Sequence, residues 1–399
     1  MKSIKSLYNI GRGPSSSHTM GPSKAAKITK ARYSDANKYV VTLYNSLALT
    51  GYGHLTFKAI EEELKPHEVI FETKIDQKEH PNTALFQMYK DDVFLGEEKI
   101  KSVGGGKIIF ESIEDKEEDV YTHSSFKSIK NYCARRKISL FQYVLMAEGE
   151  CIIEFLYDVW KTMKKTVETG LKKSGFLPGS LKVRRKARKL YQTTEDFEME
   201  DTQARLVSSF AFACAEENAA GGIVATAPTC GSCGVLPGVL YYTYVRLGFS
   251  EQRIIEAIGV ASIFGNLIKH NASISGAEAG CQAEIGSACA MAAAAAAYLK
   301  GYSISKIEYS AEVALEHSLG LTCDPVRGYV QIPCIERNAL YAMKAIDASR
   351  LAGIITSLSK VSFDTVVETM LETGKDLARE YRETAEGGLA KYYKEKKAK

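Results

Sequence analysis

ISLFQYVLMAEGECIIEFLYDVWKTMKKTVETGLKK, from Ile138 to Lys173, is the stretch that decides the fold. Its apolar residues recur at three- and four-residue steps over many turns, with Gly149 as the interruption. That spacing predicts long amphipathic helices, each with one face that must pack against another element. Beyond it nearly everything reads the same way. TQARLVSSFAFACAEENAAGG from Thr202, IIEAIGVASIFGNLIKHNASISG from Ile254 and the segments from Ser310 onward are helical and rich in small residues, while GFLPGSLKVRRKA from Gly175 reads as a loop.

Upstream the pattern changes. KYVVTLYNSLAL from Lys38 is β-branched and weakly alternating, and fits a strand or a helix edge. HLTFKAIEEEL from His54 reads as a helix. HPNTALFQMYK, DDVFLGEEKIKSV and GGGKIIFESIE, between His80 and Glu114, read as strands joined by turns. THSSFKSIKNYCARRK from Thr122 is polar and basic, a linker with Ser124 or Ser125 as a cap. The expectation is an α+β protein. A small N-terminal α+β sheet domain is expected over residues 1–122, a linker over 123–137, and a larger all-α domain over 138–399.

A chain of 399 residues exceeds one ordinary hydrophobic core, which agrees with two units. Composition is that of a globular protein, 45% apolar and 25% charged. A net charge of +4 argues against a nucleic-acid or anionic-membrane partner. The basic runs KVRRKARK from Lys182 and KEKKAK from Lys394 are expected as solvated faces or tails. The Ala-rich run from Ala288 to Leu299 would span only about 18 Å as a helix, too short for a membrane. Nine cysteines without a signal peptide point to a reducing cytoplasm.

Three of those cysteines stand in Gly- or Pro-punctuated strings: Cys281 in GAEAGCQAEIG, Cys323 in GLTCDPVRGYV and Cys334 in VQIPCIERNA. Three thiolates together can hold a metal or an iron–sulfur cluster with one position open to substrate. Their separations of 42 and 11 residues match no compact metal motif, and buried thiols also serve as small apolar residues. Near the N-terminus, GRGPSSSHTMGPSKAAK places Ser15, Ser16, Ser17, His18 and Thr19 ahead of Pro22 and a helix capped by Thr19 or Ser23. Hydroxyls at such a turn can receive a carboxylate or phosphate, and a loop histidine among them can titrate near neutrality.

SISGAEAGCQAEIG, GLTCDPVRGYVQIPCIERNA, ATAPTCGSCGVLPGVL and GPSSSHTMGPSKAA together resemble the bacterial iron–sulfur-dependent L-serine dehydratases, in the same order and over nearly the whole chain. The resemblance implies a [4Fe–4S] cluster on Cys281, Cys323 and Cys334, with one iron not ligated by cysteine. It implies that the SSSHT loop reaches the active site. Ser15, Ser16 and Thr19 would then contact substrate, with His18 and Ser17 as catalytic candidates. In ATAPTCGSCG the family commonly has APTNGAAG. Thr229 and Cys230 are therefore read first as a substrate-pocket loop, then as inert thiols, and only last as a metal or redox CxxC. His54 and the His80-Pro81-Asn82 step fall where the family keeps polar groups. GYGHLTFKAI departs from the commoner GHGTDKAI, so neither is assigned. Some relatives end in a cysteine that caps the vacant iron, whereas this sequence ends YYKEKKAK, leaving another ligand or an open site.

The activity so implied is elimination of water from L-serine to give pyruvate and ammonia, in amino-acid catabolism feeding gluconeogenesis. A cytoplasmic homodimer without pyridoxal phosphate is expected; no lysine context suggests a Schiff base. The alternatives are a related lyase acting on L-cysteine or L-threonine, and a zinc-stabilised interaction protein built on Cys230, Cys233 and two further thiols.

Overall fold

The computed structural model describes residues 1–74, 78–113, 118–193, 199–357 and 360–394. Among the described residues seven strands appear in chain order: β1 (Ile10–Arg12), β2 (Lys38–Tyr44), β3 (Glu68–Glu72), β4 (Thr83–Lys90), β5 (Val93–Ser102), β6 (Ile108–Phe110) and β7 (Ile223–Ala225). Five of them form one sheet in the order β3-β2-β4-β5-β6, with β3 parallel to β2 and the other pairs antiparallel. Along β2 burial alternates, so that Tyr39, Val41 and Leu43 face inward, as its β-branched pattern requires. The same run then turns into the helix Asn45–Thr50, which resolves the strand-or-helix ambiguity as one followed by the other. Helix Gly21–Arg32 lays Ala25 and Ala26 on the sheet, and helix Thr56–Leu64 adds Ile60 and Leu64.

The remainder is helical. Gly149 ends the helix Leu140–Glu148 with a φ of 77°, a conformation glycine adopts freely, and a second helix runs from Ile152 to Lys172. At the centre lies Ser287–Leu299, nearly every residue of it buried. Its alanines let helices Glu251–Asn271, Ile304–Glu316 and Cys334–Ile354 pack closely on different faces, since the distance between helices follows the side chains at the contact. Among the described residues no helix is long and apolar enough to cross a membrane.

Residues 123–137, expected as a linker, instead hold the helix Phe126–Arg136, capped by Ser125. Its polar composition hides an apolar edge. Phe126, Ile129 and Cys133 are buried in the helical core, and Phe126 stacks on Phe264 with ring centroids 4.8 Å apart. The basic run from Lys182 also departs from a plain solvated face, because Arg185 is buried against Glu217 at 2.8 Å. In the other basic run, KEKKAK, all but Lys394 lies outside the described residues.

The first residues belong with the helices and not with the sheet. Ile4, Leu7 and Tyr8 are buried in the helical core, and Asn266 Nδ2 donates to Lys2 O at 2.8 Å. β1 then pairs antiparallel with β7, and Asn218 Nδ2 donates to Pro14 O at 2.7 Å. The chain is thus pinned to the helical body just before the serine loop, which fixes that loop between the two cores.

One buried group in the helical core works against stability. Neither carboxylate oxygen of Glu312, on helix Ile304–Glu316, meets a hydrogen-bond partner among the described residues. Burial, and then the neighbouring Glu316, push its carboxyl up to about 8. A folded carboxyl above its unfolded value of 4.5 keeps a proton that the unfolded chain gives up, so stability falls as pH rises from about 4.5 to 8. Glu312→Gln should therefore raise the unfolding midpoint, by more at pH 8 than at pH 5, in paired thermal melts.

Candidate active site

Two of the four segments that resemblance singles out hold a π-helical turn that runs into a longer helix: Ser16–Met20 into Gly21–Arg32, and Gln282–Gly286 into Ser287–Leu299. Such widened turns are frequent at functional sites. The first is capped by Ser15, whose Oγ accepts from His18 N at 3.1 Å. This displaces the expected caps. Thr19 Oγ1 accepts from Ser15 N and donates to His54 O at 2.7 Å, while Ser23 Oγ donates to Glu63 at 3.2 Å. Pro22 does sit in the first turn of the following helix.

Cys281 precedes the second π-helical turn, Cys323 lies on an extended loop, and Cys334 opens the helix Cys334–Ile354. All three line one enclosed cavity together with Ser15, His54, Glu284 and Glu383. Cys323 hydrogen-bonds Cys281 and, with Arg337, overcomes burial to draw the Cys281 thiol down to about 6. The same bond and burial push Cys323 up, and burial pushes Cys334 up. Arg337 is anchored by Thr322 O at 2.7 Å and Asp324 at 3.2 Å. The site therefore presents one thiolate beside a guanidinium, with two thiols able to follow once a cation is present. Glu284 is pushed up by burial, then by Glu383 and Cys281, so its carboxyl is held neutral. A Cβ at Gly276 would come within 2.8 Å of Glu284 Oε2 and 3.2 Å of Cys323 Sγ, which explains a glycine there.

Two imidazoles and a carboxylate close the other wall. His18 and His54 stack with centroids 4.5 Å apart, and Glu383 Oε1 lies 3.4 Å from His54 Nε2 and 3.8 Å from His18 Nδ1. Ser46 Oγ donates to Glu383 O at 2.9 Å, so it must accept from His18 Nε2 at 3.0 Å. His18 Nδ1 then accepts from Ser17 Oγ at 2.8 Å. Burial lowers His18 to about 4, and the ring is neutral. His54 faces two acceptors, Thr50 O at 3.2 Å from Nδ1 and the Glu383 carboxylate at 3.4 Å from Nε2. Burial pushes the Glu383 carboxyl up, but His18, His54 and the Ala277 N–H outweigh it and hold it below its ordinary value. Its backbone takes a left-handed φ of 57°, and its N–H donates to Cys323 O at 2.8 Å. Strain of this kind gathers at functional sites.

Of the residues selected from sequence, Cys281, Cys323, Cys334 and Ser15 meet at the cavity. Ser16, Ser17, His18 and Thr19 are buried directly behind Ser15. Thr229 reaches the site through a hydrogen bond to Glu284, and Gly231, not Cys230, lines the cavity. His80 pairs with Glu278 at 3.0 Å. Arg327 has a left-handed φ of 53° and bonds Ser180. Glu284, Arg337, Ser46 and Glu383 are not identified from sequence, and His54 is left unassigned. The only cue to Glu383 is the Gly387-Gly388 step in ETAEGGLA, an abrupt turn in a polar segment.

Comparison with known proteins gives the class first. The serine dehydratase beta-chain family model matches residues 3–68, and the alpha-chain model matches residues 62–390. Both regions of an amino-acid dehydratase are thus joined in one polypeptide, the beta-like region leading. L-serine dehydratase 2 of Escherichia coli K12 is 38% identical over 448 aligned residues, covering 98% of each chain. The L-serine dehydratases of Haemophilus influenzae and Streptomyces coelicolor are each 38% identical, covering 98% and 97% of this chain and 99% and 98% of their own. The chain belongs to the L-serine dehydratase family, and its activity is that of a lyase acting on L-serine.

Proposed function

We propose that the three thiols hold a [4Fe–4S] cluster with one iron free of cysteine, and that this centre converts L-serine to pyruvate and ammonia. The reading rests on the convergence of Cys281, Cys323 and Cys334, from three separate segments, on one cavity with His54 and Glu383. The donor set fits such a group: three unoxidised sulfurs, one already drawn toward thiolate, and the Arg337 guanidinium to balance charge. A bound cluster would supply a Lewis-acid iron for the substrate hydroxyl.

The chain's own residues do the rest. Ser15, on a turn braced by Ser16, Ser17 and Thr19, offers its hydroxyl to the substrate carboxylate. Glu383 takes the Cα proton, and His54 gives a proton to the departing hydroxyl, so that water leaves. His18, held by Ser17 and Ser46 and stacked on His54, positions that ring. Thr229 and the turn through Cys230 hold Glu284 at the cavity edge. The aminoacrylate formed tautomerises and hydrolyses to pyruvate and ammonia in water. The same reading gives residues 1–122 the substrate loop and residues 138–399 the cluster, in a cytoplasmic homodimer.

Iron and acid-labile sulfide, measured on protein purified without oxygen, test it. About four of each per chain are expected, with a brown absorbance that bleaches in air as serine-dependent pyruvate formation is lost. Colourless protein with one zinc, or with no metal, would overturn the reading.

A further inference from the structure

Cys230 and Cys233 close a turn of their own, Cys233 N–H donating to Cys230 O at 3.2 Å. Both thiols are buried in a small apolar cluster with Val224, against which Met20 packs. Neither is in a disulfide, and burial pushes both up, Cys233 to about 12. They rest as neutral thiols. The Met20 sulfur lies 3.8 Å from Cys230 Sγ. On its other side Met20 lines an open surface groove between Gly11 and Gly106, where a Cβ at Gly11 would lie 3.3 Å from Met20 Sδ. The thioether therefore bridges the groove and a buried dithiol.

We propose that Cys230, Cys233 and Met20 form a binding site for a soft monovalent metal ion, with Cu(I) or Ag(I) as the fitting chemistry. Thiolate and thioether donors select soft ions. Zinc draws its four ligands from Cys, His and carboxylate, and a thioether is outside that set. Spacing agrees as well. At the roughly 2.3 Å metal–sulfur distance of a thiolate site, two sulfurs about 120° apart on one ion lie about 4 Å from each other. The Met20–Cys230 pair already has that separation. An entering ion displaces both thiol protons to water, and the groove gives it a path by way of Met20. Occupation would be felt in the catalytic cavity, because Gly231, between the two cysteines, lines it and its carbonyl accepts from Asn338 at 2.8 Å.

The test offers Cu(I), as its bicinchoninate complex, to the intact protein without oxygen, and measures copper taken up and iron released in parallel. Wild type should take one Cu(I) per chain with no equivalent release of iron. Cys230→Asn should take none at the same chelator concentration. Met20→Leu, which keeps the packing and loses only the sulfur, should bind at least about tenfold more weakly. Uptake by Cys230→Asn equal to wild type would overturn the site. So would wild-type uptake that tracks iron release one for one, which would assign the copper to Cys281, Cys323 and Cys334.

Discussion

Cys323→Ala is expected to yield a folded, colourless chain that makes no measurable pyruvate from L-serine. Its sulfur is one of three on the cavity and the hydrogen-bond partner that draws Cys281 toward thiolate, so its loss weakens two ligands together. Lewis-acid help at a leaving oxygen is worth several kcal/mol. At 1.4 kcal/mol per factor of ten, turnover should fall at least about a thousandfold. The fold should survive, because the Cys323 contacts to Tyr381 and Glu383 are made by its backbone. Cys289→Ala is the matching control. Cys289 is buried but among the described residues its sulfur bonds only Tyr341 O, at 3.4 Å, and its variant should keep iron and activity. Full activity in Cys323→Ala, or iron loss in Cys289→Ala alone, would rule out the ligand set.

Glu383→Gln should separate proton transfer from metal binding. The amide matches the carboxylate in shape and can still accept from the Ala277 N–H, so iron content should equal wild type. It cannot take a proton from Cα. Loss of a positioned base costs about 10²–10⁴-fold. That loss should fall in kcat, with KM nearly unchanged, in steady-state pyruvate formation from L-serine. A variant that keeps wild-type kcat would remove Glu383 from the chemistry.

How much of this was legible in the sequence depends on what each residue shows locally. The helical body and strands β2, β4, β5 and β6 announce themselves by period, because each buries one face of a regular element. β3 was missed: EVIFE is a short edge strand, flanked by charge and buried nowhere fully. Helix Phe126–Arg136 was missed because only three of its eleven residues are buried and the rest are polar or basic. The cysteines were legible through their surrounding strings. Glu284, Arg337 and Glu383 were not, since a charged residue in a helix or a polar segment looks the same in sequence whether it faces water or a cavity. Burial of such a group is decided by elements far away in the chain: Glu383 is held by His18, His54, Ala277 and Cys323, none of them a sequence neighbour.

The bond between Glu383 and the Cys323 backbone also carries a consequence for synthesis. Glu383 follows Cys323 by 60 residues, so at 5–20 residues per second it emerges from the ribosome roughly 3–12 s later. From Cys334 onward, the last 49 residues of that interval, the nascent chain carries all three cysteines while the Glu383 segment that closes over them has yet to be made. The thiols are therefore most open to oxidants, and to stray metal ions, during translation, and a pause between these positions would lengthen the exposure.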